Sequence, residues 1–418
     1  MISKYVSAFK KNFLYIDYLI FGIIFAIILG NSIINIFNFF IFIFYIFLMF
    51  NFRLTKNYKN FYKAFFLISL IFFLNILFSI NKLHSSITYI AFLGHFVLML
   101  SIIFLIDNDK YFKIKLSKIL FFLIIFVSLD TIIQYFTGSD IFGYKISNSH
   151  GVRLSGPFGD EYVVGAFLSK LFFLSILFLD YKKFRYLNIL LILVILIIII
   201  LSNERSASIM FLFASIVYLI FNNFFSIKEK IIKIFLLLLL IISLFNLNPQ
   251  LKDHFIDRTF EQIGVTKTNQ NTHNNFWDSQ WGAHYLTSIE IFKDNPFLGS
   301  GADTFRYACS NEDYSNINSA EASVRCNTHP HNIYIEILSE LGIIGFLVFV
   351  CFLSYIFIKL LKNFYFFNKK SNEELVYIIS FIILFNPIQT TGSFFSTWNG
   401  IFYWILLGYI FASFKKTI

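Results

Sequence analysis

The chain has 418 residues, is 57% hydrophobic and only 14% charged, and contains 60 Phe. Apolar runs on this scale exceed what a single water-facing surface conceals, which excludes a soluble globular enzyme. The net charge of +10 is scattered through short gaps between apolar runs, with no zinc-finger spacing, RNA-reading aromatic motif or basic domain, and this excludes nucleic-acid binding.

Runs long enough to cross about 30 Å of hydrocarbon predict about 12 spans, near 15–34, 36–52, 61–80, 87–106, 117–136, 162–179, 186–201, 207–221, 231–247, 333–358, 375–396 and 399–414. The first run continues for a full span without a small-residue cleavage pattern, so it reads as a retained helix rather than a signal peptide. Residues 1–247 then carry spans one to nine, 248–332 form one large outer loop, and 333–418 carry spans ten to twelve. With the N-terminus inside, 23 of the 34 Lys and Arg fall on inner segments, ten on outer ones and one, Lys170, within a span. Six of the outer ten lie in the long loop, which the positive-inside rule weighs least, so both termini are expected in the cytoplasm. Pro157, Pro249, Pro296 and Pro330 fall in outer loops and Pro387 interrupts the eleventh span.

Several polar groups lie inside or beside spans, where each needs a partner. Asp130 and Gln134, one turn apart in the fifth span, sit at a depth similar to that of Lys170 in the sixth, which predicts an Asp130–Lys170 pair. Arg153 lies in SHGVRLSGPFGDEYVVG, a glycine-rich outer turn whose N–H groups and guanidinium suit an anion; the alternative is an ion pair with Asp160 or Glu161. Arg205 lies in LSNERSASIM, the short outer turn between spans seven and eight, beside a helix N-terminus, with Glu204 as the alternative partner.

The long loop contains WGAHYLTSIEIFKDNPFLGSG, in which Trp281, Tyr285, Ile289 and Phe292 recur at helical spacing. It predicts an amphipathic helix stopped by Asn295-Pro296, lying against the membrane surface or lidding a cavity. Cys309 and Cys326 share this loop, either as thiols or as a disulfide, and Cys351 reads as an apolar filler in the tenth span. His329 and His331 stand where the loop enters that span, and the helix dipole there favours a neutral imidazole able to accept a proton; capping is the alternative. Asn332, Glu336 and Glu340 follow at spacings of four, a stripe expected to face the bundle interior or a hydrated channel. Asn386, Pro387 and Gln389 predict a broken eleventh helix.

Arg153, Arg205 and His331 all fall on the outer side under this topology. Two guanidiniums suit a diphosphate and a neutral imidazole suits activation of a hydroxyl. No outer acidic cluster has convincing metal spacing, so charge neutralisation by arginine is expected in place of a metal. A transporter of an anionic lipid or sugar phosphate is the contrasting class, but no internal repeat is evident and the candidate residues collect at one face.

HNIYIEILSELGIIG, KDNPFLGSG, the RLSGPFGDEY and SNERSA turns, and a long outer loop before the third-last span together resemble the O-antigen ligase and polymerase superfamily. The resemblance implies an all-α polytopic membrane bundle of the glycosyltransferase C type with a long periplasmic loop, in a bacterial inner membrane. It implies metal-independent, inverting transfer of a glycan from undecaprenyl diphosphate, with no cofactor, to lipid A-core in the ligase branch. A polymerase would use a second lipid-linked glycan as acceptor, and a protein O-glycosyltransferase an exported protein. The family's essential arginines correspond to Arg153 and Arg205 and its histidine to His331; Asn332, Glu340 and Lys170 are expected to contribute to substrate binding. SNERSA departs from the family by placing Glu204 where serine is more usual. The spacing of both arginines and the adjacent His-Asn pair favour the ligase branch.

Overall fold

The computed structural model describes residues 2–52, 59–147, 152–263, 275–367 and 371–415. Gly151 of the arginine turn, residues 264–274 of the long loop, and Arg53, Lys56, Lys267, Lys369, Lys370 and Lys416 of the charge count lie outside the described residues, as do the side chains of Lys4, Lys10, Lys11, Lys59 and Lys415.

The chain is helical almost throughout: α1 Ile2–Leu29, α2 Asn31–Phe52, α3 Lys59–Phe78, α4 Lys82–Asn108, α5 Phe112–Thr137, α6 Val164–Ser175, α7 Arg185–Leu201, α8 Arg205–Phe221, α9 Ile227–Leu247, the short α10 Pro249–Lys252 and α11 Arg258–Gln262, then α12 Gln280–Asp294, the short α13 Phe305–Ala308, α14 Ile333–Lys362, α15 Asn372–Phe385 and α16 Thr397–Lys415. Among the described residues only two isolated antiparallel bridges occur, Ser139 to Lys145 and Ser147 to Arg153. Among the described residues five helical stretches are long and apolar enough to cross a membrane: Phe61–Phe78, Lys82–Asn108, Phe112–Thr137, Ile227–Leu247 and Ile333–Phe366. Shorter apolar helices occupy Tyr15–Leu29, Asn31–Phe47, Val164–Phe178, Arg185–Leu201 and Arg205–Phe221. The protein is therefore an all-α, polytopic membrane-helical protein. Its outward faces bear large apolar side chains such as Phe39, Phe66 and Phe235, the reverse of a water-soluble surface.

Lipid competes with every apolar contact, so helices in a membrane associate by close packing. The central pair, α4 and α16, illustrates this: a Cβ added at Gly408 would come within 2.7 Å of Ile102, and one at Gly400 within 2.8 Å of the His95 ring. Local signals set several helix ends. Ser226 and Glu229 form a capping box at the start of α9, Gly138 closes α5 in the left-handed region, and Asn332 caps α14 by accepting from the Tyr334 and Ile335 N–H groups at 3.0 and 3.2 Å, each satisfying backbone groups that helix ends leave free.

Two helices break inside a predicted span, the eleventh where Asn386, Pro387 and Gln389 predict it. The eleventh predicted span reaches residue 396, but α15 ends at Phe385, and Asn386 to Ser396 form an irregular linking segment before α16. Pro387 deprives the helix of an N–H, and Asn386 turns its Oδ1 to the Ile388 N–H at 2.9 Å. In α14 the helix breaks at Gly342, φ 65° and ψ −171°. Loop 296–305 inserts there: Ile343 and Ile344 donate to Pro296 O and Phe297 O, while Ser300 and Gly301 donate to Ser339 O and Glu340 O. Asn75 of α3 locks the insertion, donating to Leu298 O and Glu340 O and accepting from Ala302 N. Cys351 is exposed on an outward face of α14, rather than an internal filler.

A side chain at Gly342 would require a backbone region nearly restricted to glycine and would meet the Phe297 backbone. Gly342→Ala is expected to cost at least about 1–3 kcal/mol, read as an earlier thermal unfolding midpoint and protease sensitivity within loop 296–305. An unchanged midpoint and an intact loop contradict this account.

Candidate functional site

Arg153 is carried on a small hairpin between α5 and α6, paired to Ser147 by backbone hydrogen bonds of 3.0 and 3.2 Å. The hairpin hangs from α5. Asp130 Oδ1 accepts from the Ile141 N–H at 2.9 Å, and Gln134 donates to Tyr144 O and Ser155 Oγ while accepting from the Gly156 N–H. The expected Asp130–Lys170 pair is therefore not formed, because Asp130 has its backbone donor in the hairpin and Lys170 donates to Asn399 Oδ1 at 2.8 Å. Lys170 also lies over the rings of Trp398 and Phe402 at 5.3 and 5.0 Å. Arg153 stands over the Tyr162 ring at 4.9 Å. No ion pair to Asp160 or Glu161 occurs among the described residues, and the buried Arg153 Nε has no hydrogen-bond partner.

The turn between α7 and α8 ties three parts of the chain together through consecutive residues. Asn203, in the left-handed region at φ 65°, donates to Val152 O at 3.2 Å and so holds the arginine hairpin. Glu204 accepts from the Gly165 and Ala166 N–H groups at the start of α6. Arg205 donates to Thr259 Oγ1 of α11 at 2.9 Å. Glu204 thus turns away from Arg205, so its position before the arginine leaves the guanidinium available. Burial pushes the Glu204 carboxyl up to about 7, opposed by those two N–H groups and by the charges of Arg153 and Lys170.

A second group of residues surrounds His331. Its ring packs on Trp281 and His284 of α12, with centroids 4.8 and 5.3 Å away, and on His329 at 4.2 Å. Its backbone is left-handed, φ 61°, a conformation few non-glycine residues adopt and one that turns the chain sharply ahead of the Asn332 cap. Burial pushes the imidazole down to about 3, the charges of His329 and His284 push the same way, and a backbone hydrogen bond with Thr391 opposes them. Neutrality was expected from the helix dipole; desolvation is the larger cause. Its Nε2 is buried without a hydrogen-bond partner. The packing face of α12 is also shifted from the predicted stripe: Ala283, His284, Thr287, Ser288 and Ile291 are buried along with Tyr285, because the helix packs on the top of α14.

The linking segment joins the two groups. Ser206, next to Arg205, donates to Thr390 O at 3.3 Å, and the next residue, Thr391, donates its N–H to His331 O at 2.8 Å. One stretch of backbone therefore links the neighbour of Arg205 to His331, while Arg153 acts on Arg205 through its charge. The remaining expected binding residues are held in structural contacts. Asn332 caps α14 and donates to Pro387 O at 2.7 Å, while Glu340 accepts from the Asp303 and Phe305 N–H groups at 2.6 and 2.8 Å. Glu336, fully buried, accepts from Ser393 Oγ and from the Phe394 N–H.

Two residues at the site escaped the sequence reading. They are Arg258 on α11 and His254 just before it: the charges of Arg258 and Arg153 act on Arg205, and those of Arg205, Arg258 and Arg153 act on His254. Burial, followed by the three arginine charges, pushes His254 down to about 4. The segment HFIDRTF carries no motif that marks it. Cys309 and Cys326 form a disulfide with Cα atoms 5.2 Å apart, bracing the loop over α12. Among the described residues no group of three or more His, Cys, Asp or Glu is placed to hold a metal ion.

Three guanidiniums gathered around a turn with a titrating carboxylate suit an anion. Glu204 is ionised above about pH 7 and neutral below, so the Kd for sulfate, whose charge is constant there, should fall as pH drops through that value. The dependence should disappear in Glu204→Gln. A pH-independent Kd in the unmodified protein removes Glu204 from the anion site.

Residues 189–350, less than half of the chain, match the family model described as O-antigen ligase. This stretch includes Arg205, Arg258, His331 and Glu340 and leaves Arg153 and Lys170 outside it. No curated protein matches the chain.

Proposed function

From the premise that the chain carries an O-antigen ligase domain over residues 189–350, we propose that it transfers a glycan from undecaprenyl diphosphate to a hydroxyl of lipid A-core at the periplasmic face of a bacterial inner membrane. The observation that supports this reading is a group of three arginine charges, Arg153, Arg205 and Arg258, linked to the neutral His331 by the contacts of Ser206 with Thr390 and of Thr391 with His331. In the reaction His331 Nε2 takes the proton of the acceptor hydroxyl, and the freed oxygen forms a bond to the sugar C1. The bond from C1 to the diphosphate oxygen breaks, and the electron pair leaves with the diphosphate, whose growing charge the arginines stabilise. One displacement from the opposite side inverts the anomeric centre. Lys170, Asn332 and Glu340 act as positioning residues. Twelve crossings, a glycosyltransferase C arrangement and cytoplasmic termini belong to this reading.

Deleting the gene and analysing envelope glycans and lipid-linked intermediates tests it. The expected result is full-length glycan accumulating on the carrier beside bare lipid A-core. Core capped with single repeat units would instead assign polymerisation, and loss of a protein glycoform alone would assign transfer to protein.

A further inference from the structure

An apolar groove lies between α3, α4, α14 and α16. Phe72, Phe92, Ile337, Leu341, Phe394 and Trp404 represent its walls, which are apolar throughout. One wall, α3, has α4 and α14 as neighbours and turns most of its side chains outward, Phe66, Leu67 and Phe73 among them, so in a bilayer this wall borders lipid. At the outer end Ala302, held by Asn75, packs with Phe72, Ile337, Leu341 and Phe395.

The linking segment fixes where the groove lies relative to the reacting groups. Thr390 meets Ser206 beside Arg205, Thr391 meets His331 and His329, Phe394 donates to Glu336 at 2.8 Å, and Phe394 and Phe395 line the groove. Four extended residues span at most about 13 Å, so the groove lies close to His331, and along this segment the contact beside Arg205 comes before the His331 contact and the groove after it. A displacement at C1 needs the incoming oxygen opposite the departing one. In this reading the donor's prenyl chain begins at the arginine-held diphosphate, at the other end of the segment.

We propose that this groove holds an acyl chain of the lipid-anchored acceptor and so brings the acceptor hydroxyl to His331 from the side opposite the diphosphate. The assignment rests on the glycan-transfer reading above and names where its second substrate binds. Hydrocarbon in the groove would contact Ile337 and Leu341, about one and two turns below the Asn332 cap that follows His331, leaving a polar headgroup level with the imidazole.

The test uses the full chain in lipid nanodiscs with undecaprenyl-diphosphate-linked glycan, and as acceptor lipid A-core or the same core with its acyl chains removed. Val348→Trp fills the groove from α14, and Ala64→Phe fills it from the exposed face of α3, where folding is least at risk. Both are expected to raise KM for the acylated acceptor about tenfold while leaving kcat, KM for the donor and KM for the deacylated core unchanged. Photolabelling by a diazirine-bearing lipid A-core should mark α3 and α14 peptides and be lost in both variants, a readout independent of turnover. A rise in donor KM would place the prenyl chain in the groove and overturn the proposal; unchanged acceptor KM with persistent labelling would also overturn it. Absence of transfer by the unmodified protein to either acceptor, with labelling intact, would instead sink the transfer reading on which it rests.

Discussion

Replacing Arg205 by Lys lowers turnover of a diphosphate-linked donor by about 10²–10³-fold, although the charge is retained. Arg205 already uses one end of its planar fork on Thr259 Oγ1 at 2.9 Å, which fixes the guanidinium plane and presents its remaining N–H groups to the ligand. A lysine supplies a point charge on a flexible stem and cannot hold Thr259 and two phosphate oxygens together. Because the charge developing on the leaving group is stabilised chiefly in the transition state, kcat should fall more than KM rises. Arg153→Lys should behave likewise, since Arg153 lies over the Tyr162 ring with a buried, unpartnered Nε. Steady-state kinetics on purified protein decide this, and ordinary kinetics in both lysine variants would end the diphosphate-clamp assignment.

His331→Gln is expected to lower kcat by about 10²–10⁴-fold while leaving donor affinity near its original value. The imidazole does not contact the arginines in the arrangement described; its neighbours are Trp281, His284 and His329. Glutamine fills much of the same space but cannot take up a proton. The sign of the pH dependence follows from burial. A histidine pushed down to about 3 is unprotonated through the neutral range, so no loss of activity attributable to His331 should appear as pH falls through the ordinary histidine value, and the loss belongs near the lowered one. An acid limb near the ordinary value that vanishes in His331→Gln would contradict the desolvated site. Retention of full turnover by the variant would remove His331 from proton transfer altogether.

The legible parts of the protein were those governed by local rules. Apolar length located each long helix because an unsatisfied backbone group in lipid costs several kcal/mol, leaving the helix as the only open choice for such runs. The Asn295-Pro296 stop, the Asn332 start and the break after Phe385 could be read because capping and proline chemistry act within a few residues. Arg153, Arg205 and His331 stood out because charged or titratable groups at a membrane boundary are costly without a purpose.

Partners were much less legible. Asp130 and Lys170 share a depth along their helices, yet rotation about each helix axis turned Asp130 to the hairpin and Lys170 to Asn399. Glu204 looked like the counterion of its neighbour and instead caps α6, because adjacent residues at a helix start point in different directions. Arg258 and His254 carried no motif and entered the site only through the path of the chain after α9.

The sequence by itself determined that this is an all-α chain of membrane helices, which turns carry its arginines and histidine, and which residues stop and start the helices, since these depend on hydration and hydrogen bonding within a few turns. Only the tertiary structure decided which polar groups meet, that loop 296–305 enters a broken α14, and that one irregular segment runs from Arg205 past His331 to an apolar groove. Those outcomes depend on helix rotation and close packing between segments far apart in the chain, which no local pattern encodes.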